Sequence, residues 1–301
     1  MTRIIQHYFT GRWQAEEDFE RTYREGLRIG KYWTTLTYIY YSGMCAIESG
    51  RYADFSDHVR ILQELAESLD ITYSLILRYR LTNMGYLRFR KLEELQEISE
   101  QSIEFIQTTG DDANLFMVYC MRAQGCIYLG KPAEAKQALD FVADKIGRHS
   151  RVPIFHSQYL LSHLEYEFLQ LESLERGTPE FKSAIRKLEK LSDTFVAKSK
   201  KNLATLTSAY LMKARLARLL KKNSHCVAAM KKAIRAGEKY DGRLNLSRAY
   251  FEAGKLLSDP DIRTKHLNGL TAEDYFQKAK TLFEEMDLQR DLEELRKTTK
   301  D

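Results

Sequence analysis

SGMCAIESGRYADFSDHVRIL, residues 42–62, and QGCIYLGKPAEAKQALDFV, residues 124–142, follow one plan. In each, a small residue (Gly43, Gly125) comes four positions after a large apolar one (Ile39, Met121). A glycine then interrupts the pattern, Gly50 in the first stretch and Gly130 in the second. Beyond it runs a second apolar set at spacings of four and three: Phe55, Val59 and Leu62, or Ala135, Leu139 and Val142. Those spacings put each set on one stripe of an amphipathic helix. The glycine between the halves can end a helix in the left-handed conformation that other residues avoid. The unit is a pair of helices folded back on each other.

The same anchors recur along the chain as Leu81 before Gly85, Tyr210 before Ala214 and Tyr250 before Gly254. Second-helix sets follow at Ala184, Leu188 and Leu191, at Cys226, Met230 and Ala233, and at Ala272, Phe276 and Ala279. The intervals from Gly43 to Gly85 and from Gly85 to Gly125 are 42 and 40 residues, so the predicted period is near 42. Composition agrees. The 301 residues hold 15 Gly and 4 Pro, too few for the many tight corners of a sandwich or barrel. With 44% hydrophobic and 30% charged residues the chain is also too apolar for intrinsic disorder. Helices are predicted near 13–29, 31–49, 51–69, 71–89, 91–108, 112–129, 132–147, 153–175, 179–198, 202–221, 223–240, 242–257, 271–286 and 288–298. Pro132, Pro153, Pro179 and Pro260 all fall at helix starts or in loops, where a missing amide donor does no damage.

The order of large residue, small residue, glycine turn and A-x3-F-x2-A-like helix resembles the tetratricopeptide repeat family over roughly residues 9–287. The longer period and the phrases YIYYSGMCAIESGRY, VPIFHSQYLLSHLEYEFLQLE and YFQKAKTLFEEMDLQRDLEEL resemble the C-terminal helical arrays of bacterial multidomain signalling proteins, those attached to AAA or STAND ATPases, adenylate cyclases or hybrid kinases. The resemblance implies an all-α, right-handed solenoid of stacked antiparallel hairpins, about six and a half of them in a single domain over 1–301 with a short helix and tail at 288–301. The opening RIIQHYFTGRWQAEEDFERTYREGL reads as the tail of a first helix, a turn at Gly11 and a second helix carrying Ala15, Phe19 and Thr22, without the polar cap of a terminal repeat. Further chain is therefore expected before it.

Catalytic signatures are missing from the sequence. It holds no GxxxxGK[ST] loop and no GxSxG elbow. Cys45, Cys120, Cys126 and Cys226 form no CxxC pair, and they fit reduced cysteines of a cytoplasmic protein better than disulfides or a zinc site. His156, His163 and Glu167 share a helix face, yet no further ligand stands at fixed spacing, and a partly buried histidine is the commoner outcome. No enzyme activity, cofactor or metal is expected. No run approaches the length of a membrane span.

The net charge of +5 hides a strong asymmetry. Residues 178–257 hold 19 Lys or Arg against 6 Asp or Glu, whereas the stretches on either side are acidic overall. Lys182, Arg186 and Lys190 repeat every four residues opposite Ala184, Leu188 and Leu191, so they are expected on the outer, solvated side. By the resemblance, Arg215, Arg218 and Lys222 lie on a first helix, the kind that lines the concave groove, with Arg248 and Lys255 at matching places in the next pair. Tyr40, Tyr79, Tyr86 and Tyr119 fall at the groove positions of the early units, with Arg122 interleaved. Cations along a groove attract an acidic peptide or a phosphate-bearing ligand. The function expected is a protein-interaction or regulatory scaffold holding a partner's peptide or helix, with an anionic small ligand or nucleic acid on block 178–257 as the alternative. Partner identity and oligomeric state are not encoded in these patterns.

Overall fold

The computed structural model of this protein describes residues 2–14 and 18–299. Among them the chain is all-helical. The helices are α1 (Thr2–Thr10), α2 (Phe19–Arg28), α3 (Tyr32–Glu48), α4 (Tyr52–Leu69), α5 (Thr72–Arg88), α6 (Leu92–Thr109), α7 (Asp112–Tyr128), α8 (Pro132–Ala143), α9 (Ile146–His149), α10 (Pro153–Glu172), α11 (Pro179–Ser199), α12 (Leu206–Leu219), α13 (Asn223–Tyr240), α14 (Arg243–Ser258), α15 (Ala272–Glu285) and α16 (Gln289–Thr299). None of them is long and apolar enough to cross a membrane.

Local chemistry explains the boundaries. Pro132, Pro153 and Pro179 each occupy the first turn of their helix, and Thr271 with Asp274 forms a capping box at the start of α15. Several first helices end in one motif. After α3, the Arg51 amide bonds back to the Ala46 carbonyl at 2.9 Å, and after α7 the Lys131 amide bonds to the Cys126 carbonyl at 2.8 Å. The residue in between takes a positive φ, 73° at Gly50 and 70° at Gly130. At the ends of α5 and α12 the same place is held by Arg90 and Lys221, with φ of 56° and 54°. A side chain there costs backbone strain, and both side chains reach a shared cavity described below.

Three expectations change in detail. The helix expected over 13–29 begins at Phe19, and Ala15 lies outside the described residues. The helix expected over 132–147 stops at Ala143 and resumes as the short α9. The helix expected from 202 opens with a single 3-10 turn, Leu203–Thr205, before α12.

From α2 to α8 and from α9 to α16 each helix packs on the next, and other pairs meet as well, as in α3 with α5, α5 with α7, α7 with α10 and α12 with α14. The small anchor residues make this close approach feasible. A Cβ on Gly43 would stand 2.6 Å from Leu81, on Gly125 2.7 Å from Leu95, and on Gly254 2.5 Å from the Phe276 ring. The buried apolar side chains form a large cluster from Ile4 to Leu295 and a smaller one around Phe168, Leu188 and Phe195, where the sequence suggested one continuous core.

The last helices return to the first. α14 packs on α3, and α1 packs on the 3-10 turn that precedes α12. The Trp13 ring lies against Gly242, the Tyr240 ring against Gly11, and Met286 against Gly50. The apolar ends of the array therefore cover one another.

Gly254→Ala is expected to destabilise the fold by about 1–3 kcal/mol, the usual cost of overpacking. Urea unfolding checks this through a lower midpoint at unchanged m-value.

Candidate functional site

The C-terminal ends of α5 and α7, the middle of α10, much of α12 and α14, and the starts of α13 and α16 line a cavity of about 630 Å³. Helix C-termini carry partial negative charge and favour cations, and Arg88, Arg218 and Lys255 all sit in last turns. The lining holds eight Lys or Arg and six Asp or Glu beside an apolar patch that includes Leu211, Met230 and Phe251.

Most of these charges hold one another. Asp291 of α16, 2% exposed, receives Arg248 through two hydrogen bonds of 3.0 Å and Arg90 at 2.8 Å. Burial alone would raise the Asp291 carboxyl, but Arg248 and Arg90 hold it below its ordinary value. Burial also works against the Arg90 guanidinium, and Asp291, Tyr128 and Glu294 outweigh it, so its pKa lies above the ordinary one. Arg248 donates a further bond of 2.8 Å to the carbonyl of Arg88, tying α14 to the end of α5. Beside Arg90, Gln124 donates to the Tyr128 hydroxyl at 2.7 Å, and that hydroxyl donates to Glu165 at 3.1 Å. Arg215 bridges Glu165 and Glu172 at 3.0 and 3.1 Å, with its guanidinium 4.4 Å from the Phe168 ring centre. Arg218 pairs with Asp259 at 2.9 Å.

Behind this wall lies Glu48, fully buried. Asn245 donates to one of its oxygens at 3.1 Å and accepts from Ser208 at 3.1 Å. Arg88 stands 4.0 Å away. Burial pushes the Glu48 carboxyl up to about 7, and the nearby Arg88 and Arg248 only partly offset it.

The cations picked from the sequence divide. Arg215, Arg218, Arg248 and Lys255 come together on the cavity lining. Lys222 lies outside it, half-exposed, and pairs with Glu189 at 3.1 Å. The aromatic candidates do not reach the cavity. Tyr40 is buried in the core with Arg80 over its ring at 4.9 Å, so it offers no free face to a partner. Tyr79 packs on Phe105, Tyr86 on Phe55, and Tyr119 stacks on Phe141 at 3.9 Å. Arg122 pairs with Glu100 at 3.4 Å. Tyr79, Tyr86, Tyr119 and Arg122 thus meet second helices, α6, α4, α8 and α6 in turn, whereas Tyr40 meets α5 through Arg80.

Sequence reading missed Tyr128, Glu165 and Asp291, and it notes Arg88 and Arg90 only as cations interleaved with the early tyrosines. A signal for Arg90 was present, since it stands where Gly50 and Gly130 stand in other units. Two lining cations, Arg176 and Lys221, have no acidic partner among the described residues.

Other candidate chemistry is dispersed. His163 lies 3.5 Å from Glu167, but His156 bonds the Ser150 carbonyl at 3.0 Å. Among the described residues no three His, Cys, Asp or Glu side chains come together to hold a metal ion. All four cysteines are buried and none forms a disulfide. Burial pushes the Cys226 thiol up to about 11, which leaves little nucleophilic thiolate. No protein-family profile matches this chain, and a comparison with curated proteins finds no similar sequence.

A pH dependence follows from Glu48. Its folded carboxyl binds a proton more tightly than the unfolded one, so its stabilising contribution is complete below the ordinary 4.5 and is lost as pH rises through about 7. Glu48→Gln is expected to flatten the decline in stability over that window by on the order of 3 kcal/mol, measured by urea unfolding at a series of pH values.

Proposed function

We propose that this chain is a non-catalytic protein-interaction or regulatory module, a tetratricopeptide-like array whose central cavity receives the end of an extended acidic segment of a partner or of its own parent polypeptide. The observation that carries this is the gathering of Arg215, Arg218, Arg248 and Lys255 on one lining where cations outnumber acids by eight to six. Arg176 and Lys221 add two charges that have no acidic partner among the described residues. Internally paired arginines can exchange an Asp or Glu partner for an incoming carboxylate at modest cost, since one charge-assisted bond replaces another.

Size decides between a helix and an extended end. A single 5.4 Å turn of helix about 11 Å across takes up on the order of 500 Å³. The cavity of about 630 Å³ would be full after one turn, so an extended end is favoured. The same volume is within the range of small-molecule pockets, which supports a second function, sensing of a free anionic ligand. Four buried cysteines that form no disulfide support the cytoplasm as its compartment.

Anisotropy with fluorescein-labelled hexaglutamate tests the proposal. Arg176→Glu combined with Lys221→Glu is expected to weaken binding at least tenfold at unchanged thermal stability, because neither side chain pairs with an acidic residue among the described residues. Unchanged affinity contradicts cavity binding. Tighter binding of a free dicarboxylate than of the peptide favours the second function.

A further inference from the structure

The basic block 178–257 separates into two populations. Of its 19 Lys and Arg, eight sit in ion pairs with Asp or Glu. The other eleven have no acidic partner among the described residues. Most of these eleven lie on α11 and α13, which flank α12 on the outer layer. On α11, Leu188 and Phe195 turn inward while Lys182, Arg186 and Lys190 are exposed. On α13, Met230 and Ala233 turn inward while Lys231, Arg235 and Lys239 are exposed. One bond links the two helices directly, from Lys222 at the start of α13 to Glu189 of α11. Glu189 and Asp193 are occupied by Lys222 and Lys213, so they do not offset the field of the outer face.

The surface selects among polyanions. It carries no large exposed apolar side chain, since Ile29, Tyr32, Trp33, Leu69 and Val152 all lie elsewhere. Protein interfaces are enriched in aromatic residues and depleted in lysine. Peripheral membrane helices bury an apolar face, and single-strand binders stack bases on aromatic rings. A lysine-dominated face lacking all of these fits phosphates presented by a rigid backbone. We propose that the outer face of α11 and α13 is a docking surface for double-stranded nucleic acid, bound through its phosphodiester backbone without sequence preference. Lys182 to Lys190, and Lys231 to Lys239, each span about 12 Å along a helix. A duplex presents roughly seven charges over that length, about half of them on the near side. About four phosphate contacts imply a fall in affinity of about 10²-fold between 50 and 200 mM salt.

The test uses the full chain with two 20-base-pair duplexes of unrelated sequence, as DNA and as RNA, the matching single strands, and vesicles containing phosphatidylserine. The expected result is equal binding of the two sequences, weaker binding of single strands and of vesicles, and the salt dependence above. The variant K182E/R186E/K231E/R235E should lose at least 30-fold, while the cavity pair Arg176→Glu and Lys221→Glu binds duplex as before. That contrast separates this surface from the proposed peptide cavity. Lysine acetylation of the unaltered protein gives a second readout that needs no variant: duplex should protect Lys182, Lys190, Lys231 and Lys239. Absent duplex binding at 50 mM salt, binding insensitive to the quadruple variant, preferential binding of vesicles, or no protection of these lysines would each overturn the proposal.

Discussion

The carboxylate of Asp291 lies 2.8 Å from Arg90 and 3.0 Å from Arg248, at 2% exposure. A buried carboxylate without partners is strongly destabilising, as is a buried guanidinium. Asp291 therefore requires both arginines in place. Arg90 belongs to the end of α5 and Arg248 to α14, so meeting that requirement brings the last helices onto the first third of the chain. Asn245 and Glu48 repeat the constraint between α14 and α3. With α14 held there, residues of α5, α7, α10, α12, α13, α14 and α16 line the cavity between them.

That closure changes what the charges do. In an open array the arginines on first helices would face water. Here eight of the basic block's cations are consumed by carboxylates, several of them across the cavity. The unpaired positive charge is displaced outward, onto α11 and α13, with Arg176 and Lys221 left at the cavity. The protein thus presents two different cationic sites, one in a cavity and mostly compensated, the other on an outer face and uncompensated. Surface charges of the second kind are screened by salt; those of the first are screened much less.

Helix order was legible because breakers mark it. Pro132, Pro153 and Pro179 start helices, and Gly50, Gly110 and Gly130 end them, as local sterics require. The outward direction of Lys182, Arg186 and Lys190 was also legible, because Leu188 on the opposite stripe fixes the rotation of α11. The cavity was legible only in half. Arg215, Arg218, Arg248 and Lys255 follow from the first-helix pattern, but their acidic partners come from residues distant in sequence. The tyrosines of the early units show the other limit. α3 and α5 carry apolar or aromatic residues nearly all round, so periodicity does not say which face meets the cavity, and Tyr40 is buried under Arg80. Arg90 and Lys221 at positions of left-handed backbone break the local rule, and both line the site.

Whether a buried ion pair closes the array is measured most directly by a double-mutant cycle on Arg90 and Asp291, using Arg90→Met and Asp291→Asn and reading urea unfolding of the four proteins. Closure through this pair predicts a coupling energy of about 1.5–3 kcal/mol between residues some two hundred positions apart in sequence. Single effects that add to within about 0.5 kcal/mol would contradict it.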